Sequence, residues 1–155
     1  MSLSQVAVIG RVRELIVPDF EAAGGRAYGA GDGGQDAIPP ALHEFPAALV
    51  VPGETREYIG PQQGGQRHTY AVKILVLQGG VGGDVGEAAS AALPLVDTLI
   101  ARFERNVTLG NRANSAIFER SSGFVTLTYA EIDYLGYEVT LRVSEQATAQ
   151  PAIGD

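Results

Sequence analysis

Apolar positions along this chain change their period from one stretch to the next, and the changes mark elements. Across residues 4–17, Val6, Ile9, Val12 or Arg13, and Ile16 recur at helical spacing while Arg11, Arg13 and Glu14 supply a wet side, which predicts a first helix. Pro18 disfavours helical geometry in the residue before it, so the regular part is expected to end near Val17. Residues 46–53, PAALVVPG, form an apolar run with Pro at both ends and predict a strand at the first or edge position of a sheet, which residues 54–59 continue as a second strand. In residues 68–78 both parities are apolar: Tyr70, Val72, Ile74 and Val76 on one side, Ala71, Leu75 and Leu77 with Lys73 on the other. Such a strand is expected to be buried on both faces.

Val85, Ala89, Ala92, Val96, Leu99 and Phe103 alternate steps of four and three, which predicts a second helix, with Asp84 and Glu87 spaced for an N-terminal capping box. Pro94 is expected either to kink it or to move its regular start to near Ala92. The last third predicts three strands, 115–119, 123–129 and 136–143, separated by turn residues. The final one alternates Tyr137, Val139, Leu141 and Val143 with Glu138, Thr140, Arg142 and Ser144, giving one packed and one wet face. The glycine-rich run 24–40 and the PQQGGQ turn at 61–66 are expected to be mobile, and 146–155 to be a disordered tail. The expected fold class is α+β: a single domain over 1–145, with a mixed, mostly antiparallel sheet and two main helices packed on one face.

Composition removes most chemistry. With 155 residues, 45% of them hydrophobic, the chain can build one self-sufficient core. The absence of cysteine excludes disulfides, thiolate metal sites and a Cys nucleophile, and two histidines, His43 and His68, do not make a His-rich zinc site. A net charge of −7 argues against a nucleic-acid face. The apolar stretch at 6–9 is too short for a signal-peptide core and no run approaches a membrane span, so a cytosolic location is expected, without membrane contact. The closing residues PAIGD carry no lipidation signal.

Four constellations carry candidate chemistry. QGGVGGDVG at 78–86 lies between a strand and a helix, the setting of a phosphate-binding turn, but Val85 stands where a dinucleotide fingerprint needs a small residue, and no Gly-Lys-Ser/Thr follows. Asp84 also puts negative charge where a phosphate would sit. His43 and His68 have no Ser or carboxylate at a recognisable spacing. Glu131 and Asp133 would share a face if the backbone were extended, as an acid/base pair or cation site, although such pairs more often decorate a hairpin tip. The tyrosines of 129–137 lack interleaved Lys or Arg and read as half-buried sheet residues in preference to a base-stacking platform. No catalytic residue, cofactor or metal is expected.

The succession of features goes further than any one residue. An N-terminal helix, RAYG at 26–29, FPAALVVPGETREYI at 45–59, an apolar strand, a helix ending ALPLVDTLIARFERN, and GFVTLTYAEIDYLGYEVTLRV at 123–143 resemble the tail terminator and tail-completion proteins of long-tailed bacteriophages. The resemblance implies a non-enzymatic neck protein of the virion, assembled in the host cytoplasm. Its partners would be further copies of itself in a six-membered ring, the tail tube protein, and the head connector or stopper protein. Genome DNA would pass the lumen unbound, and an acidic lumen would repel its phosphates. Arg56, Tyr58, Arg67, Glu131 and Asp133 are the residues expected at contacts with partners or neighbouring subunits. The competing expectations are a head-to-tail joining or tail-tube protein and, from another class, a small ligand-binding or hydrolytic α+β domain, marked by a pocket that brings a carboxylate to His68.

Overall fold

Helix α1 (Gln5–Ala22) is followed by strands β1 (Arg26–Gly29), β2 (Ala47–Gln62) and β3 (Gly65–Gly80), helix α2 (Val85–Glu104), and strands β4 (Ser115–Ser121), β5 (Val125–Tyr129) and β6 (Ile132–Ala147). The computed structural model describes residues 5–29, 42, 44–62, 65–80, 85–108 and 115–147, and for 5–6, 54–62, 65–68, 80, 85, 87–88 and 146–147 the backbone alone. The strands form one sheet in the order β1-β2-β3-β6-β4, with β5 also paired to β6. Among the described residues only β1 and β2 run parallel. The fold is therefore α+β with a mixed, mostly antiparallel sheet.

Both helices lie on one face. Val8, Ile9, Val12, Ile16 and Phe20 of α1, and Ala92, Val96, Leu99 and Phe103 of α2, share a core with Val50, with Tyr70, Val72, Ile74 and Val76, and with Tyr137, Val139, Leu141 and Val143. The sheet residues recur every second position and the helix residues every third or fourth, so each element turns one apolar stripe inward. The opposite face holds a smaller cluster at one end, where Tyr28, Ala47, Leu49, Leu77 and Tyr134 pack under Leu42 and Phe45. The Leu42 amide donates to the Tyr134 hydroxyl at 3.2 Å, and the Phe45 and Tyr134 rings lie 5.9 Å apart, tilted by 46°. β3 is thus apolar on both parities because both faces are covered at that end.

Several expectations need correction. Helix α1 does not stop at Val17 but runs through Pro18 to Ala22. An internal Pro costs about 3 kcal/mol or more, yet stopping there would expose Phe20, which is fully buried, and release Asp19, which ties α1 to α2. The glycine-rich run is not uniformly mobile. Gly24, at φ 86°, ends α1 in a Schellman cap: its amide donates to the Glu21 carbonyl at 3.0 Å, and that of Gly25 to Phe20 at 2.8 Å. Arg26–Gly29 is then strand β1, with Ala27 and Tyr28 buried; 30–41 lies outside the described residues.

Residues 46–59 do not make two strands, and their strand is not the outermost. β2 is one strand with a register shift between Pro52 and Arg56, and β1 lies outside it. The pairing with β1 reaches Val50, however, so among the described residues Pro52 is flanked by β3 alone, where its missing amide costs least. The ladder closes at Gln62↔Gly65, leaving only 63–64 of the PQQGGQ turn outside it. Lastly, Gln146 and Ala147 belong to β6, paired with Arg67 and Gln66, so the ordered chain passes residue 145; 148–155 lies outside the described residues. α2 runs from Val85 through Pro94, so its regular part does not begin at Ala92. Asp84, the proposed cap, lies outside the described residues.

Candidate assembly site

The sheet has two unlike ends. At one, β5 and β6 are joined by a two-residue turn: Tyr129 pairs with Ile132, leaving Ala130 and Glu131 at the tip. Both have positive φ, 52° and 67°, in a turn geometry that Asn-Gly fills most cheaply. Glu131 is therefore not extended, and it does not share a strand face with Asp133. Asp133 Oδ1 accepts a 2.6 Å hydrogen bond from the Thr128 hydroxyl across the hairpin, and both carboxylates are exposed. They form the acidic tip of a hairpin, without the geometry of an acid/base pair.

At the other end, the distal parts of β2, β3 and β6 form a three-stranded arm. Arg56 faces Tyr70 in register, Tyr58 faces His68, and Ile59 faces Arg67; the side chains of 54–68 lie outside the described residues. Arg67 pairs with Gln146, thirteen residues along β6 from Asp133, or roughly 43 Å at about 3.3 Å per residue. The five residues expected at contacts thus fall into two groups at opposite ends of the sheet.

Sequence reading missed a third feature. Thr98, Ala101, Arg102, Arg105 and Asn106 line a groove of about 210 Å³ along the outer side of α2. Its signal is present in the sequence, because these positions follow the i, i+3, i+4, i+7, i+8 rhythm along one side of the buried stripe. Arg102 reaches from the groove to Asp19 of α1 with two hydrogen bonds, 3.1 Å from Nε and 2.7 Å from Nη2. Those bonds first, and the Asp19 charge second, raise the guanidinium above its usual pKa. Arg105 is exposed and has no ion pair among the described residues.

The remaining polar features serve the fold. Lys73 and Glu138 pair at 3.4 Å, and Arg142 and Glu119 at 3.0 Å, across neighbouring strands on the face away from the helices. Ser122 bridges the break between β4 and β5, its amide donating to the Glu138 carbonyl and its hydroxyl accepting from the Glu138 amide, both at 2.8 Å. Tyr134 and Tyr137 pack in different cores on opposite faces, so the tyrosines do not form one stacking surface. Tyr28 has its pKa raised by burial first and by Glu44 next, against an opposing effect of Arg26; Tyr129 is raised by burial, then by Tyr134 and Tyr28. The ladder sets Glu145, which is 4% exposed, opposite His68, whose side chain lies outside the described residues. His43 lies outside the described residues.

Among the described residues no three His, Asp or Glu side chains converge as a metal site, and no helix is long and apolar enough to cross a membrane. The chain matches no protein-family model and no curated protein sequence.

Proposed function

We propose that this chain is a structural protein of the neck of a long-tailed bacteriophage: a subunit of a six-membered ring that caps the tail tube, ends its polymerisation and joins the tail to the head connector. The observation that carries the reading is architectural. The order of segments that resembles tail terminators folds into one sheet with both helices on one face and, among the described residues, only a small apolar cluster at one end of the other, which leaves room for neighbours. The acidic balance fits a lumen through which DNA passes without sticking, since a net charge of −7 per subunit repels phosphate. The chain performs no catalysis in this reading, and its partners are its own copies, the tube protein and the connector.

The test mixes the purified chain with the tail-tube protein encoded in the same gene cluster and measures tube lengths by electron microscopy. Capping yields shorter tubes with added density at one end. Tubes of unchanged length with bare ends contradict the proposal, and a hydrolytic activity lost in His68→Ala would replace it with the enzyme reading.

A further inference from the structure

Two features of this molecule are not accounted for by the fold of one copy. The first is the choice of Ala130 and Glu131 for a two-residue hairpin turn that needs positive φ at both positions. Two non-glycine residues in left-handed geometry cost roughly 1–2 kcal/mol each, and strain of this kind persists where a side chain must be held in a particular place. Here it holds an exposed carboxylate at the tip of the β5–β6 hairpin, next to Ile132, which is 41% exposed.

The second is the groove on α2. Its volume, about 210 Å³, lies below the roughly 300–1,000 Å³ of sites that enclose small-molecule ligands, and suits one or two side chains. Arg102 is committed to Asp19, which leaves Arg105 as the groove's unpaired cation among the described residues. Asp97 and Glu104 lie about 80–100° round the helix from Arg105, at 100° per residue, and do not line the groove. Ala101 and the 40% exposed Val107 add apolar surface beside it.

We propose that the hairpin tip of one copy docks in the α2 groove of the next, with Glu131 pairing with Arg105 and the apolar flanks of the two surfaces meeting around that pair. This deepens the ring reading, on which it rests, by naming the contact between subunits. The pairing cannot form within one chain. The end of α2 lies beside the start of β4, where the Ala116 amide bonds the Val107 carbonyl and Ala116 pairs with Val143, so Arg105 sits about ten residues of β6, roughly 33 Å, from the tip. Two different patches at opposite ends make a head-to-tail contact, which closes into a ring when the rotation per subunit allows.

Charge reversal with rescue by mixing tests the contact. Glu131→Lys sets a cation against Arg105, and Arg105→Glu sets two carboxylates together, so each variant alone self-associates at least tenfold more weakly than the parent chain. Mixed one to one, every interface can pair opposite charges in an alternating ring of even number, and assembly returns. Both residues are exposed, and unchanged circular dichroism and melting show that each variant folds. Single reversals that assemble like the parent chain, or a mixture no better than either variant, overturn the contact while tube capping by the parent chain keeps the ring reading intact. A parent chain that never self-associates overturns both.

Discussion

At the scale of single residues, the sharpest departure from local preference is the Ala130-Glu131 turn. Replacing Ala130 by Asn, which tolerates left-handed geometry, should raise stability by about 1 kcal/mol, seen as a higher urea midpoint at unchanged slope. Glu131→Gly should also stabilise the fold yet weaken self-association, because the strain is retained for the carboxylate it presents. A stabilised Glu131→Gly chain that assembles normally would remove the functional reading of the turn. The hairpin tip was legible from the acidic pair, but the left-handed backbone was not, because Ala-Glu carries no turn signature.

The tyrosines supply a second residue-scale prediction. Burial raises the Tyr28 phenol above its usual pKa, so above about pH 10 the unfolded chain loses its proton first and the folded state binds more protons. Stability should therefore fall as pH rises past 10 and stop falling on this account once the folded phenol has ionised. Unfolding midpoints measured between pH 9 and 11 should decline less steeply in Tyr28→Phe; equal slopes would show that the group does not contribute.

At the scale of elements, the two helices are joined by the Arg102–Asp19 fork, whose carboxylate is only 13% exposed. Two aligned hydrogen bonds and partial burial place it above a surface ion pair, and a double-mutant cycle with Asp19→Ala and Arg102→Ala should return a coupling of about 1 kcal/mol. Arg102→Lys should recover little of it, since an ammonium cannot form the fork. Zero coupling would mean that α1 crosses Pro18 on the burial of Phe20 alone. The elements themselves were legible where a stripe was continuous, as in β6, in β3 and in α2 from Ala92 to Phe103. They were misread where a local breaker met its compensation: Pro18 is outweighed by Phe20 and Asp19, and Pro52 lies past Val50, the last β2 residue paired with β1 among the described residues. Gly24 and Gly25 read as disorder because a cap and a flexible loop begin with the same residues, and only the partners of their amides tell them apart.

At the scale of the whole molecule, two electrostatic effects oppose each other and act over different ranges. Copies carrying −7 each repel at long range, whereas a Glu131–Arg105 pair attracts only at contact. At 0.01 M salt the Debye length is about 30 Å and repulsion reaches across subunits; near 0.15 M it is about 8 Å and spares the contact; at 1 M, about 3 Å, the contact weakens too. The architecture was legible at this scale, and the shape of the α2 groove was not, because it depends on how the side chains of Thr98, Arg102, Arg105 and Asn106 lie, which helical periodicity does not specify. The most direct test of the ring is the mass of the purified chain in solution, followed by sedimentation velocity over a concentration series at 0.01, 0.15 and 1 M salt. The account predicts a closed species of six times the chain mass, strongest near 0.15 M and weaker on both sides, with no growth beyond it. A monomer at every concentration and salt, or open-ended growth without a limiting mass, would contradict it.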